Sequence, residues 1–117
     1  ETVLSKPAFL EAFKKRRCII PADAFYEWQA TGAARKQPHA ILMKDRSVFA
    51  FAGLWEGWTD KASGEVIRSC SIITTEPNAL CAPIHNRMPV ILDPAGYAKW
   101  LGEQLASNDD LRAMLMP

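Results

Sequence analysis

The sequence predicts an α+β fold with a mostly antiparallel, strongly curved sheet, and three observations carry that prediction. Strand patterns fill the middle of the 117 residues, helical patterns occupy both ends, and short polar turns separate the strands. The turns are evenly spaced, with no linker, repeat or low-complexity tract, so the chain reads as one domain over residues 1–117.

The elements follow in order. "KPAFLEAFKKRR" spaces Phe9, Leu10 and Phe13 helically, places Pro7 near the start and ends in cations that suit a helix C-terminus. "CIIPA" is a short buried strand ending at Pro21, and "DAFYEWQ" alternates Phe25, Glu27 and Gln29 against Tyr26 and Trp28. After the polar loop "TGAARKQP", the runs "HAILMK" and "SVFAFAGLWEGW" read as strands joined by a tight turn at Asp45-Arg46. "TDKASGE" has hairpin-turn chemistry, and the β-branched run "VIRSCSIITT" is expected to be a central strand. "PNALCAPI" reads as a helical turn and "RMPVIL" as an extended piece. "DPAGYAKWLGEQL" and "NDDLRAML" read as helices opened by Asp93 and Asn108 as N-caps.

Composition excludes several classes. The chain has no apolar run long enough to cross a bilayer and no signal-peptide pattern, so a cytoplasmic protein is expected. Cys18, Cys70 and Cys81 are odd in number and lack CxxC spacing, which argues against a disulfide framework and for a reducing compartment. No pairing of these cysteines with His39 and His85 has zinc-finger spacing, so no metal is expected. The formal charge of +1 says little about partners, because a global balance hides local clusters.

Four groups of residues carry candidate chemistry. Glu27 shares a partly apolar strand face with Phe25; it is either a general acid–base group disfavoured as an anion, or a solvent-facing glutamate. His85 lies between Pro83 and Pro89 with Arg87 two residues on, so an imidazole and a guanidinium share a face of an extended segment. That pairing suits a phosphate or carboxylate ligand, and equally suits a backbone-bonded histidine beside a structural ion pair. Cys81, four residues before His85, offers a Cys–His hydrolase; Pro83 spoils the helix such a pair needs, and a lone cysteine is more often a small buried hydrophobe. The basic run Lys14–Arg17, ending in Arg16 and Arg17, is either a phosphate-neutralising stretch or a solvated helix end.

Together "RCIIPADAFYEW", "FAFAGLWEGW", "CSIITTEPNA" and "APIHNRMPVIL" stand in an order that resembles the SOS response-associated peptidase (SRAP) family. The likeness runs from Glu1 to about Trp100 and is loose after Leu101. It implies a barrel-like β core with peripheral helices, a monomer, and single-stranded DNA with abasic sites as the partner. It implies no metal, organic cofactor or membrane. The family's nucleophile is an N-terminal cysteine exposed by self-cleavage of the initiator methionine; its amine and thiol close a thiazolidine crosslink on the ring-opened sugar. By resemblance Glu27 and His85 are the catalytic pair, Arg87 holds a DNA phosphate, and Thr74 and Trp28 contact DNA beside the lesion.

The chain departs from the family pattern at its ends. The Met-Cys-Gly-Arg block is absent, the Asn-Ala-Arg segment would end just before Glu1, and the Asn-rich C-terminal strand is missing. Ala24 stands where glycine is common, and Asn86 where aspartate is. The expectation is a central portion of the domain, inactive alone, with a non-covalent single-stranded DNA-binding module as the alternative reading.

Overall fold

The computed structural model describes residues 3–117. Helix α1 (Pro7–Lys15) has proline in its first turn and Lys14 and Lys15 in its last, and buries Ala12 and Phe13. The backbone leaves the helix at Arg16 (φ −134°) and runs straight into β1 (Arg17–Ala22), so Arg17 belongs to a strand. Strands β2 (Phe25–Gln29) and β3 (Gln37–Ile41) form an antiparallel hairpin of their own. β3 begins earlier than its apolar run and ends at Ile41; Leu42 and Met43 are exposed and enter the turn at Asp45-Arg46.

β4 (Phe49–Thr59) organises the main sheet. One of its edges pairs with β1, from Ala22 opposite Phe49 to Arg17 opposite Leu54. The other edge is shared. β5 (Val66–Ile72) covers Gly53 to Thr59, and β8 (Ile91–Leu92) covers Ala50 and Phe51. Between them the chain leaves the sheet through a neck in which β6 (Thr74–Thr75) pairs with β7 (Met88–Pro89). Every described ladder is antiparallel, and the fold is α+β as the sequence predicts. The described strands form open sheets and close no barrel.

β5 is an edge strand, exposed along its length, and the expectation of a central strand is corrected. β-branched residues fit a pleated surface wherever it lies, so their density does not report position in the sheet. The run also breaks at Ile73, because Thr74 and Thr75 pair with β7 and not with β4. The 3-10 turn Pro94–Gly96 leads into α2 (Tyr97–Leu101), with the Asp93 side chain accepting from the Ala95 N–H as expected. α2 stops short of Leu105 because Gly102 turns left-handed (φ 82°). α3 (Asn108–Ala113) is capped by Ser107 and not by Asn108: Ser107 and Asp110 bond reciprocally in a capping box.

The core packs α1, α2 and α3 against β4 and β8, with Ile73 and Val90 beside them and Ile19 of β1 at its margin. Phe13 and Trp100 pack edge to face, with centroids 5.9 Å apart, and Trp100 Nε1–H donates to the Cys18 carbonyl at 2.8 Å. Arg17 lies over both rings and donates from Nε to the Trp100 carbonyl and from Nη1 to the Phe13 carbonyl, each at 2.6 Å. The β2–β3 hairpin joins the sheet through Phe25, packed edge to face against Phe49 and Phe51.

Trp100 is fully buried, so Trp100→Ala should cost about 3–5 kcal/mol of unfolding free energy. Ser107→Ala, which removes one cap, should cost about 1 kcal/mol. Urea unfolding of the two variants checks the contrast; equal midpoints would contradict it.

Candidate active site

Strand alternation on β2 separates Phe25, Glu27 and Gln29 from Tyr26 and Trp28, as the sequence predicts, and the structure makes the first face the half-buried one. Glu27 therefore looks inward, toward the excursion between β6 and β7. That excursion contains two successive turns. Asn78 accepts from the Cys81 and Ala82 N–H groups, and the Cys81 carbonyl accepts from Ile84 and His85. This is the helical turn expected for "PNALCAPI", and it delivers His85 opposite Glu27.

His85 Nε2 lies 4.0 Å from Glu27 Oε2, with the glutamate side chain 21% and the histidine side chain 42% exposed. The gap exceeds hydrogen-bonding distance but keeps the two groups in electrostatic reach. Among the described residues neither the Glu27 carboxylate nor His85 Nε2 has a closer polar partner, so both are open to a third atom. His85 Nδ1 is 3.1 Å from both the N–H and the carbonyl oxygen of Arg87. A neutral ring can accept there from the N–H, while a ring protonated at Nδ1 can donate to the carbonyl. The same backbone position thus suits either tautomer and the imidazolium, without rotation of the ring.

Arg87 turns back across the neck. Its Nη2 donates to the Thr74 carbonyl at 2.7 Å and to Thr74 Oγ1 at 3.2 Å. Among the described residues only that nitrogen of the guanidinium has a partner, and Arg87 and Thr74 line a cavity of about 190 Å³ with Phe9, Leu54 and Ile72.

Four of the sequence-predicted residues come together: Glu27, His85, Arg87 and Thr74. Trp28 stands on the opposite face of β2, half exposed beside Tyr26. Arg16 pairs with Glu56 at 2.7 Å, and Arg17 is held among the carbonyls and rings of the core, its pKa lowered by burial. Neither arginine of the basic run reaches the cluster.

Cys81 is buried, and burial pushes its thiol pKa up; the nearby Glu27 carboxylate pushes it further in the same direction. A nucleophilic thiolate needs the opposite environment, so the burial of Cys81 argues against the Cys–His hydrolase reading. Among the described residues no group of three His, Cys, Asp or Glu side chains could hold a metal, and no helix is long and apolar enough to cross a membrane.

Sequence reasoning missed the supports of the site. Gln29 Nε2 donates to the Pro83 carbonyl at 2.8 Å, and Gln29 Oε1 meets His39 Nε2 at 3.0 Å. The available signal was the alternation that placed Gln29 on Glu27's face.

The antiparallel α+β architecture gathers a carboxylate, an imidazole and a guanidinium at the neck of a loop, and it carries the sequence blocks that resemble one family. The chain belongs to the SRAP family: the model described as SOS response associated peptidase matches residues 1–117. It is 45% identical over 117 residues to the abasic site processing protein YoaM of Bacillus subtilis strain 168, covering all of this chain and 51% of that protein. It is 30% identical over 144 residues to the abasic site processing protein HMCES of Pongo abelii, covering 41% of it. A crystal structure of a protein from Bacteroides thetaiotaomicron superposes with a TM-score of 0.91 at 39% identity, over 99% of this chain and 50% of that one. The chain thus spans about half the length of the curated relatives it matches.

The thiol environments predict selective alkylation. At neutral pH iodoacetamide should label exposed Cys70 well before buried Cys81, whose raised pKa leaves less thiolate at any given pH. Peptide mass spectrometry over a time course checks the order; Cys81 labelling first would revive the hydrolase.

Proposed function

We propose that this chain supplies the acid–base pair and the phosphate anchor of a site that processes abasic sites in single-stranded DNA. The observation that carries the reading is the 4.0 Å approach of His85 to Glu27 beside an arginine held at Thr74. The likeness to YoaM and HMCES, which are named abasic site processing proteins, supports the substrate class.

The proposed reaction begins on the closed sugar. His85 protonates the ring oxygen as the anomeric hydroxyl loses its proton, and the ring opens to an aldehyde. Glu27 accepts a proton from the ammonium of an N-terminal cysteine in the complete protein, freeing the amine to attack that aldehyde. Loss of water gives an imine, and addition of the cysteine thiol across the C=N bond closes a thiazolidine, with the thiol proton passing to nitrogen. Arg87 holds a flanking phosphate, which fixes the sugar against the pair. Single-stranded substrate avoids the cost of extruding the lesion from a duplex. The same pair suits the peptide hydrolysis that removes the initiator methionine and exposes the cysteine.

In the complete protein, Glu27→Ala or His85→Ala should slow formation of an SDS-resistant adduct with abasic single-stranded DNA by about 10²-fold or more. Wild-type rates in both variants would sink the assignment. Arg87→Ala should weaken DNA binding and lower the slope of log K against log salt by about 1. Fluorescence anisotropy across a salt series measures it, and an unchanged slope would argue against a phosphate contact.

A further inference from the structure

His85 is fixed from two directions. On one side Arg87 is tied to Thr74 across the neck; on the other, the Pro83 carbonyl, two residues before His85, accepts from Gln29 Nε2 at 2.8 Å. Gln29 lies two residues after Glu27 on the same face of β2. The amide therefore ties the histidine's segment to the strand that carries its catalytic partner.

The orientation of that amide is determined. A proline carbonyl can only accept, so the Gln29 NH₂ must point to Pro83 and its oxygen to His39. His39 Nε2 must then carry a proton and donate to Gln29 Oε1 at 3.0 Å. His39 stands directly across the β2–β3 ladder from Glu27, so the relay begins and ends beside the carboxylate. Both histidines of the chain thus serve one locus.

We propose that Gln29, locked by His39, is a positioning residue that sets the separation of His85 from Glu27 through the Pro83 carbonyl. The proposal rests on the function read above and adds residues to it. Displacing a reacting group by about 1 Å can cost about 10²-fold in rate without touching the chemistry, and Gln29 controls a displacement of that kind.

The test uses the complete protein and two measurements, the adduct-forming rate at saturating abasic single-stranded DNA and the Kd for the same DNA. Gln29→Glu keeps the side chain's size and the acceptor for His39, but turns an oxygen against the Pro83 carbonyl. A merely space-filling glutamine would tolerate that change. The expected result is a rate lowered about tenfold or more, with Kd within about twofold of wild type and an unchanged melting temperature. Gln29→Ala should fall likewise. His39→Ala should slow the reaction, and His39→Gln, which restores an amide donor to Gln29, should recover most of the rate. Wild-type rates in Gln29→Glu, with Glu27→Gln and His85→Ala slow in parallel, overturn the positioning role alone. Wild-type rates in Glu27→Gln and His85→Ala overturn the underlying reading, and the positioning role with it.

Discussion

Three backbone hydrogen bonds around Ala52 hold the part of the fold on which the site depends. Ile73 N–H donates to the Ala52 carbonyl, Ala52 N–H to Val90, and Val90 N–H to Ile73, each at 2.9 Å. Ala52 is fully buried and Val90 nearly so, which makes these bonds costly to lose. They form where β5 ends against β4 and β8 begins, so one edge of β4 releases the chain and takes it back. The excursion between Ile73 and Val90 is pinned at both ends to a single residue's backbone. Its length can then be spent on turns and a functional loop, with no effect on the register of the sheet.

The same stretch of β4 carries the other half of the site. Phe49 and Phe51 receive Phe25, the first residue of the strand that bears Glu27. The two attachments use different groups: the rings of Phe49 and Phe51 take the hairpin, and the amide and carbonyl of Ala52 take the excursion. The Glu27–His85 pair, drawn from two small elements outside the main sheet, is thereby referred to one rigid strand. The Gln29–Pro83 bond spans the remaining gap directly.

What was legible in the sequence followed the reach of each physical signal. Period-two alternation put Glu27, Phe25 and Gln29 on one face of β2, because that property is local to five residues; that this face looks inward depends on packing that the alternation does not report. The turns at Asp45 and Asp60 were legible for the same reason, since their own side chains close them. The place of β5 at the sheet edge was not legible, because pairing partners are a long-range property that composition does not encode. The cap of α3 was misplaced by one residue: Asn108 and Ser107 are both good caps, and only the reciprocal bond to Asp110 decides between them. Within the basic run, Arg16 finds Glu56 and Arg17 finds Trp100, partners far off in sequence that no local pattern names. The approach of Glu27 to His85 came from the likeness of whole blocks to a family, since residues that far apart share no period.

Arg17 and Arg87 show how the fold divides one residue type between two tasks. Arg17 offers its guanidinium to carbonyls of α1 and α2 and lies over two rings; burial already disfavours its charge, and an added phosphate would have to compete with those bonds. Arg87 spends one nitrogen on Thr74 and lines a cavity, its other donors without partners among the described residues. Glu27 divides the cysteines from an amine by the same electrostatic logic. Its negative charge opposes a thiolate at Cys81, on top of the burial that does so first. In the proposed reaction that charge favours an incoming ammonium and the cationic imine that follows it. In the proposed reaction one carboxylate would thus favour an amine as the attacking group while opposing thiolate formation at Cys81.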